Sequence, residues 1–185
     1  MKDRSMAHRE PEKEDPRRYN GKVLDHFRNP RNVGKVERYD GIGTNGDPSC
    51  GDYLEVTIKV DEFWKRIIEA RFLAYGCAGA IATSSMMTEL AIGKTFEEAL
   101  QISDEDVINA LGGLPTDKEH CSLLGVLALH RAVLDCLTMR DMIRKGRVSG
   151  RAEYREMRAH GLIRSESHNC DGTCGESIQV EGCKE

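Results

Sequence analysis

Aromatic residues are scarce in this chain, 5% of 185 with a single tryptophan, and basic residues are not in excess. Few aromatics beside 31% charged residues point to solvated ends around a modest core. A formal net charge of -4 removes the basic footprint that nucleic-acid binding requires. No uninterrupted apolar run of about 18 residues is present, so no membrane span is expected. The opening stretch MKDRSMAHREPEKEDPRR lacks the apolar core of a signal peptide, so the expected location is cytoplasmic. No internal repeat is visible. What is present, 39% hydrophobic residues, is enough for the core of one domain. Against these shortages stand seven cysteines, a high and odd number. In a reducing cytosol cysteines act as ligands, nucleophiles or packing rather than as disulfides.

The organisation follows from periodicity. Residues 1–18 read as a disordered charged arm, 19–146 as the folded domain and 147–185 as a polar, cysteine-containing tail. Val23, Leu24 and Phe27 lie at helical spacing, and Pro30 ends that helix. A short strand is expected around Val36 to Ile42. Leu54, Val56, Ile58 and Val60 alternate with polar residues. After a turn at DEFWK, so do Ile68, Ala70, Phe72 and Ala74, the pattern of an antiparallel hairpin. From Ala78 the period becomes helical, with Ala82, Met86 and Leu90 on one face and Gly93 where a helix would end. KTFEEALQI and SDEDVINAL read as short helices, the second capped by Ser103 with Asp106. A long helix follows, with Val126, Leu129, Val133 and Cys136 on one stripe, and AEYREMRAHGL reads as a loose helix in the tail. The fold class is α+β, a small three-stranded antiparallel sheet with helices packed on it.

Three short stretches carry the chemistry. PSCGDYLEVTIKV places Cys50 and Asp52 around Gly51 at the mouth of a strand; AYGCAGAIATSS places Cys77 between a strand and a helix; KEHCSLLG places Lys118 and His120 just before Cys121. Two of these thiols sit at predicted helix N-termini, where the helix dipole and free N–H groups favour thiolate, the nucleophilic and metal-binding form. The gaps between the three are not the C-x-x-C of zinc fingers, thioredoxins or bacterial ferredoxins, so the groups must meet through tertiary structure. Any one alone reads equally well as a buried cysteine. Cys136, Met86 and Met87 read as packing residues, His26 and His130 as helix-surface or packing residues rather than ligands, and Tyr19 as an N-terminal anchor. Cys170, Cys174 and Cys183, with His168 nearby, form only a weak C-x-x-x-C metal signal in a segment read as flexible.

The stretches YNGKVLDHFRNPRNVGK, GDPSCGD, YGCAGAIATSS, GKTFEEAL and GLPTDKEHCSLLG together resemble the IscU/NifU-type iron–sulfur cluster assembly scaffolds, from Tyr19 to about Met142. The resemblance implies a non-enzymatic carrier that receives sulfur as a persulfide from a cysteine desulfurase. It would bind iron, build a [2Fe-2S] cluster and pass it to apo-proteins. It implies Cys50, Cys77 and Cys121 as cluster ligands, Asp52 and His120 as the groups that complete or tune the site, and Cys121, beside Lys118, as sulfur acceptor. The same donors would also take zinc. A second copy of the chain is a further candidate partner. Many members carry LPPVK at a DnaK-type chaperone docking segment; LPTDK at Leu114–Lys118 puts that partner in doubt. The alternative within this fold is a zinc-bound sulfurtransferase, a branch with an insertion between the second and third cysteines and no histidine before the third. His120 and the lack of an obvious insertion rank it second.

Overall fold

The computed structural model describes residues 18–47 and 52–163. Helix α1 (Gly21–Arg28) precedes three strands, β1 (Gly41–Asp47), β2 (Asp52–Val60) and β3 (Ile67–Tyr75). Helices α2 (Ala78–Ala91), α3 (Phe96–Leu100) and α4 (Asp104–Ala110), a 3-10 turn at Thr116–Lys118, α5 (His120–Arg144) and α6 (Arg151–Ala159) complete the order. The strands form one antiparallel sheet in the order β1-β2-β3. The expected hairpin is β2–β3, with Leu54 opposite Ala74, Val56 opposite Phe72 and Ile58 opposite Ala70. Leu54, Val56, Ile58 and Val60 are all buried, so the alternation marks the core face. Met87, Leu129, Val133 and Cys136 meet them from α2 and α5.

The first strand lies later than expected, at Gly41–Asp47 rather than around Val36 to Ile42. Val36 is buried, but its N–H donates to the Thr57 hydroxyl (3.0 Å) instead of joining the ladder. The true strand, GIGTNGD, is poor in strand-forming residues. Its glycines are required because α5 lies on it backbone to backbone. A Cβ on Gly43 would stand 2.1 Å from the Ala128 carbonyl oxygen, and one on Gly41 2.1 Å from that of Ala132. Helix α5 also satisfies this edge. Ile42 N–H donates to Asp135 Oδ2 (3.0 Å), and Arg131 Nη1 donates to the Thr44 carbonyl (2.5 Å). Residues 32–34 and 93–95 pair with the opposite edge at Phe72, Ile67 and Arg66. Both edges are therefore engaged rather than left to template another chain.

Helix α5 and its preceding turn, Thr116–Arg144, are long and apolar enough to cross a membrane by length and composition. The stripe Val126, Leu129, Val133 and Cys136 is buried against the sheet and α2, the setting of a core helix. Burial pushes the Cys136 thiol far above its usual range, with Asp40 and Asp135 adding to the effect, which fits packing and not chemistry. Ser103 and Asp106 form the expected reciprocal cap of α4; Thr95 and Glu98 form a second on α3.

On α1 the structure buries Val23 and His26, while Phe27 is partly exposed. His26 Nδ1 lies 2.9 Å from the Ser85 hydroxyl, and its Nε2 lies 3.6 Å from Glu89. Burial first, then the charge of Arg31, holds this imidazole below its ordinary range. Burial acts in the same direction on His130. Both rings stay neutral in the fold where the unfolded chain binds a proton, so their contribution to stability is lost as pH falls below about 6.5. The melting temperature is expected to drop between about pH 7 and about pH 5, and the slope to flatten in His26→Gln. A flat profile for the parent across that window would show that neither ring is held neutral.

The polar segment expected after Gly146 is packed onto the body through residue 163. Val148 and Tyr154 are buried, forming a second small core with Met139. The Tyr154 hydroxyl donates to Asp135 Oδ1 (2.8 Å), and Arg158 Nη1 lies 2.7 Å from the same oxygen. Arg151 pairs with buried Asp40 at 2.9 Å and stacks on Trp64 at 4.2 Å. The charged face of α6 reads as solvated in one dimension because its partners, Asp40 and Asp135, lie far away in sequence.

Candidate functional site

One end of the sheet gathers the chemical residues. β2 starts there with Asp52, and β3 ends there with Tyr75 opposite Tyr53. Two residues later Cys77 stands at the N-cap of α2, with extended backbone (φ -73, ψ 171) and no side-chain capping bond. Helix α5 begins at the same place because β1 holds it there. Asn45 Nδ2 donates to the Leu124 carbonyl (3.3 Å), in addition to the backbone contacts of Gly41 and Gly43. Cys121 is the second residue of α5, so two helix N-termini converge on two sulfurs. Cys77 Sγ and Cys121 Sγ are 3.4 Å apart, and Cys121 Sγ is 3.6 Å from His120 Nε2. Cys77 is half-buried and Cys121 buried. Gly79, in the first turn of α2, borders both. A Cβ there would lie 3.5 Å from Cys77 Sγ, 3.6 Å from Cys121 Sγ and 3.7 Å from Lys118 Cβ.

The sulfur separation is informative. A disulfide is about 2.05 Å long, so the pair is not bonded. Two thiolates on one tetrahedral metal, each about 2.3 Å from it, stand about 3.8 Å apart. An opening of about 0.4 Å would let one ion bridge Cys77 and Cys121. The convergent helix N-termini favour the thiolate charge such binding needs. Among the described residues no set of three His, Cys, Asp or Glu side chains encloses a metal position. Of the expected site residues, Cys77, Cys121, His120 and Lys118 are brought together. Cys50 lies outside the described residues, as does the side chain of Asp52, though β2 begins at this end of the sheet. Cys170, Cys174, Cys183 and His168 lie outside them too.

Three supports escaped the sequence reading. The Thr83 hydroxyl on α2 is within donating distance of the Ala80 carbonyl (3.1 Å) and the Cys121 carbonyl (3.3 Å), tying α2 to the start of α5. Asn20 Oδ1 accepts from Lys22 N and Val23 N, capping α1. Its Nδ2 reaches the carbonyls of Leu111 and Gly113, both at 3.0 Å, and so holds the loop leading to Lys118. Arg18 pairs with Asp117 in the 3-10 turn and holds that carboxyl below its usual range. Asn20 was legible as an N-cap type before a helical run; its second role was not. Thr83 sits on a helix buried on nearly every side, where its hydroxyl has no periodic signature.

A three-stranded antiparallel sheet with helices on it, carrying a sulfur pair at one end, is the class of protein described so far. The family model for the NifU-like N terminal domain matches residues 18–141, and the chain belongs to that family. The chain is 48% identical to the iron-sulfur cluster assembly scaffold protein IscU 1 of Archaeoglobus fulgidus, over 83% of this chain and 99% of that protein. It is also 48% identical to the iron-sulfur cluster assembly scaffold protein IscU of Aquifex aeolicus, over 70% of this chain and 80% of that protein. The crystal structure of the N-terminal part of a nitrogen-fixing NifU-like protein from Brucella abortus superposes with a TM-score of 0.51 at 18% identity. It covers 65% of this chain and 95% of that one, a likeness of fold alone.

Proposed function

We propose that this protein is a scaffold on which iron and sulfur are assembled into a cluster, to be passed on to apo-proteins. The observation that carries the reading is the Cys77–Cys121 sulfur pair, 3.4 Å apart with His120 beside it, in a chain of the NifU N-terminal family. The names of its relatives support it. The cluster is cargo and the chain its carrier rather than an enzyme. Cys50, Cys77 and Cys121 supply thiolates, and Asp52 or His120 takes the fourth position. Carboxylate is a harder ligand than thiolate and suits a thiophilic iron less well, which favours release. Cys121 receives the sulfur, with Lys118 and His120 alongside. A [2Fe-2S] cluster fits a site of four ligands that includes only three thiolates. The partners are a cysteine desulfurase as sulfur donor and apo iron–sulfur proteins as acceptors, in the reducing cytoplasm. Self-association as a homodimer is part of the same reading, and LPTDK at Leu114–Lys118 weighs against a DnaK-type chaperone.

Anaerobic reconstitution with ferrous iron, cysteine and a cysteine desulfurase tests this. The expected result is a visible iron–sulfur absorption that moves to an apo-ferredoxin. A preparation that holds zinc and passes sulfur onward, yet never develops that absorption, would instead establish the zinc-bound sulfurtransferase.

Asp52 is the release device in this reading. Asp52→Ala is expected to slow transfer to the apo-ferredoxin and to lengthen cluster lifetime in air, because His120 then becomes the fourth ligand. The added lifetime should vanish in the double variant Asp52→Ala with His120→Ala. Faster decay in Asp52→Ala than in the parent would make Asp52 an essential ligand.

A further inference from the structure

We propose that Cys77 is the resolving thiol for a persulfide carried on Cys121. The pair would thereby release hydrosulfide inside the site and close as a disulfide. The inference rests on the scaffold reading above and adds the step that turns delivered sulfur into sulfide. A persulfide brings sulfur at the zero-valent level, whereas a cluster contains sulfide. Two electrons are needed, and two thiols held side by side can supply them.

The geometry suits that step. Exchange at sulfur proceeds by attack of a thiolate on a sulfur already bonded to another sulfur. Reacting atoms poised for such a step stand about 3–3.5 Å apart. Cys77 Sγ lies 3.4 Å from Cys121 Sγ, the inner sulfur of the persulfide. Its backbone is extended at the N-cap of α2. Cys121 is only 2% exposed, and its Sγ is in contact with Cys77 Sγ. The sulfurs must close by about 1.4 Å to reach a disulfide length of about 2.05 Å. Cys136 is no competitor, being buried along α5 with its thiol pushed far up.

The step balances. The Cys77 thiolate forms a bond to Cys121 Sγ as the bond from Sγ to the terminal sulfur breaks. The electron pair of the broken bond leaves with that sulfur, which departs as hydrosulfide with the proton it carried. The terminal sulfur is reduced by two electrons, and the sulfurs of Cys77 and Cys121 are oxidised to a disulfide. Returning the pair to two thiols takes two electrons and two protons from a dithiol reductant.

The test uses the full chain, reduced, metal-free and anaerobic, with glutathione persulfide as the sulfur donor and no iron. The donor is removed by gel filtration, and sulfide release and intact mass are then followed without added reductant. The expected result for the parent is release of one sulfide per chain. The protein should end lighter than its reduced form by two hydrogen atoms, with Cys77 linked to Cys121 on peptide mapping. Cys77→Ser, which places a favoured N-cap residue on α2, should remain heavier by one sulfur on Cys121. Its sulfide release should be at least ~10-fold slower. The proposal is overturned if the parent keeps its persulfide, if mapping links Cys121 to another cysteine, or if Cys77→Ser releases sulfide at the parental rate. It is also overturned if Cys77→Ser takes up no persulfide, which would make Cys77 the acceptor. The parental mapping decides the matter even if the variant folds poorly. With iron absent, failure here leaves cluster assembly untouched, whereas failed reconstitution with an intact resolving step would defeat the scaffold reading alone.

Discussion

Gly43→Ala is expected to destabilise the protein by about 3 kcal/mol, the upper end of ordinary overpacking costs. The added Cβ would lie 2.1 Å from the Ala128 carbonyl oxygen, 2.5 Å from Ala132 N and 2.8 Å from Arg131 Cβ. Two of these three neighbours are backbone atoms in the middle of a 25-residue helix, so no rotamer change relieves the contact. Either β1 moves away from α5 or the helix bends. Both would weaken the bonds from Ile42 to Asp135 and from Arg131 to Thr44 that engage the sheet edge. For a chain of this size the loss corresponds to a fall in melting temperature of roughly 6–12 °C. Gly21→Ala is the control, since a Cβ there meets nothing within 4 Å. Thermal unfolding by circular dichroism checks both. An unchanged midpoint for Gly43→Ala would mean that β1 and α5 do not lie as close as the structure places them.

Cys77→Ala and Cys121→Ala are each expected to weaken metal loading by more than about 100-fold. Even changes to groups that only orient a ligand cost about 10- to 100-fold, and these would remove a proposed ligand itself. The two sulfurs stand at nearly the spacing one tetrahedral ion requires, so together they are expected to chelate. With either gone, the partner thiolate binds alone and the advantage of two preplaced donors is lost. Cobalt(II) titration reads this directly, through the sulfur-to-metal charge-transfer band and its loss. Cys136→Ala should lower stability, because Cys136 is fully buried, yet leave the band intact. Parental loading in Cys77→Ala would show that the pair does not act as a unit and that the site lies elsewhere.

Much of the fold was legible because its signals are local. Alternation placed the core face of β2, and that of β3 at Ala70 and Phe72 but not at Ile68, which is exposed because the register shift at Lys59/Val60 turns Ile67 inward instead. The stripe on α5 named the residues that meet them. Ser103 with Asp106 announced the start of α4. The first strand was not legible. Its glycines oppose strand formation by propensity, and the reason for them is the backbone of a helix more than 80 residues further on. Nor was the packing of α6, whose arginines look solvated until Asp40 and Asp135 are brought beneath them.

For the site, the sequence by itself determined the kinds of donor. It shows thiols at two helix starts, a histidine and a lysine before the third cysteine, and a carboxylate two residues after the first. Residue types and their place at element ends are properties of the chain, and together they point to soft-metal and sulfur chemistry. The 3.4 Å between Cys77 and Cys121 belongs to the tertiary structure alone. It arises because β3 delivers the start of α2 to one end of the sheet. Gly41 and Gly43 then let α5 settle on β1 with its own start at that same end. Distances between residues far apart in the chain depend on how closely whole elements can approach. That is decided by the side chains missing from a strand as much as by those present at the site.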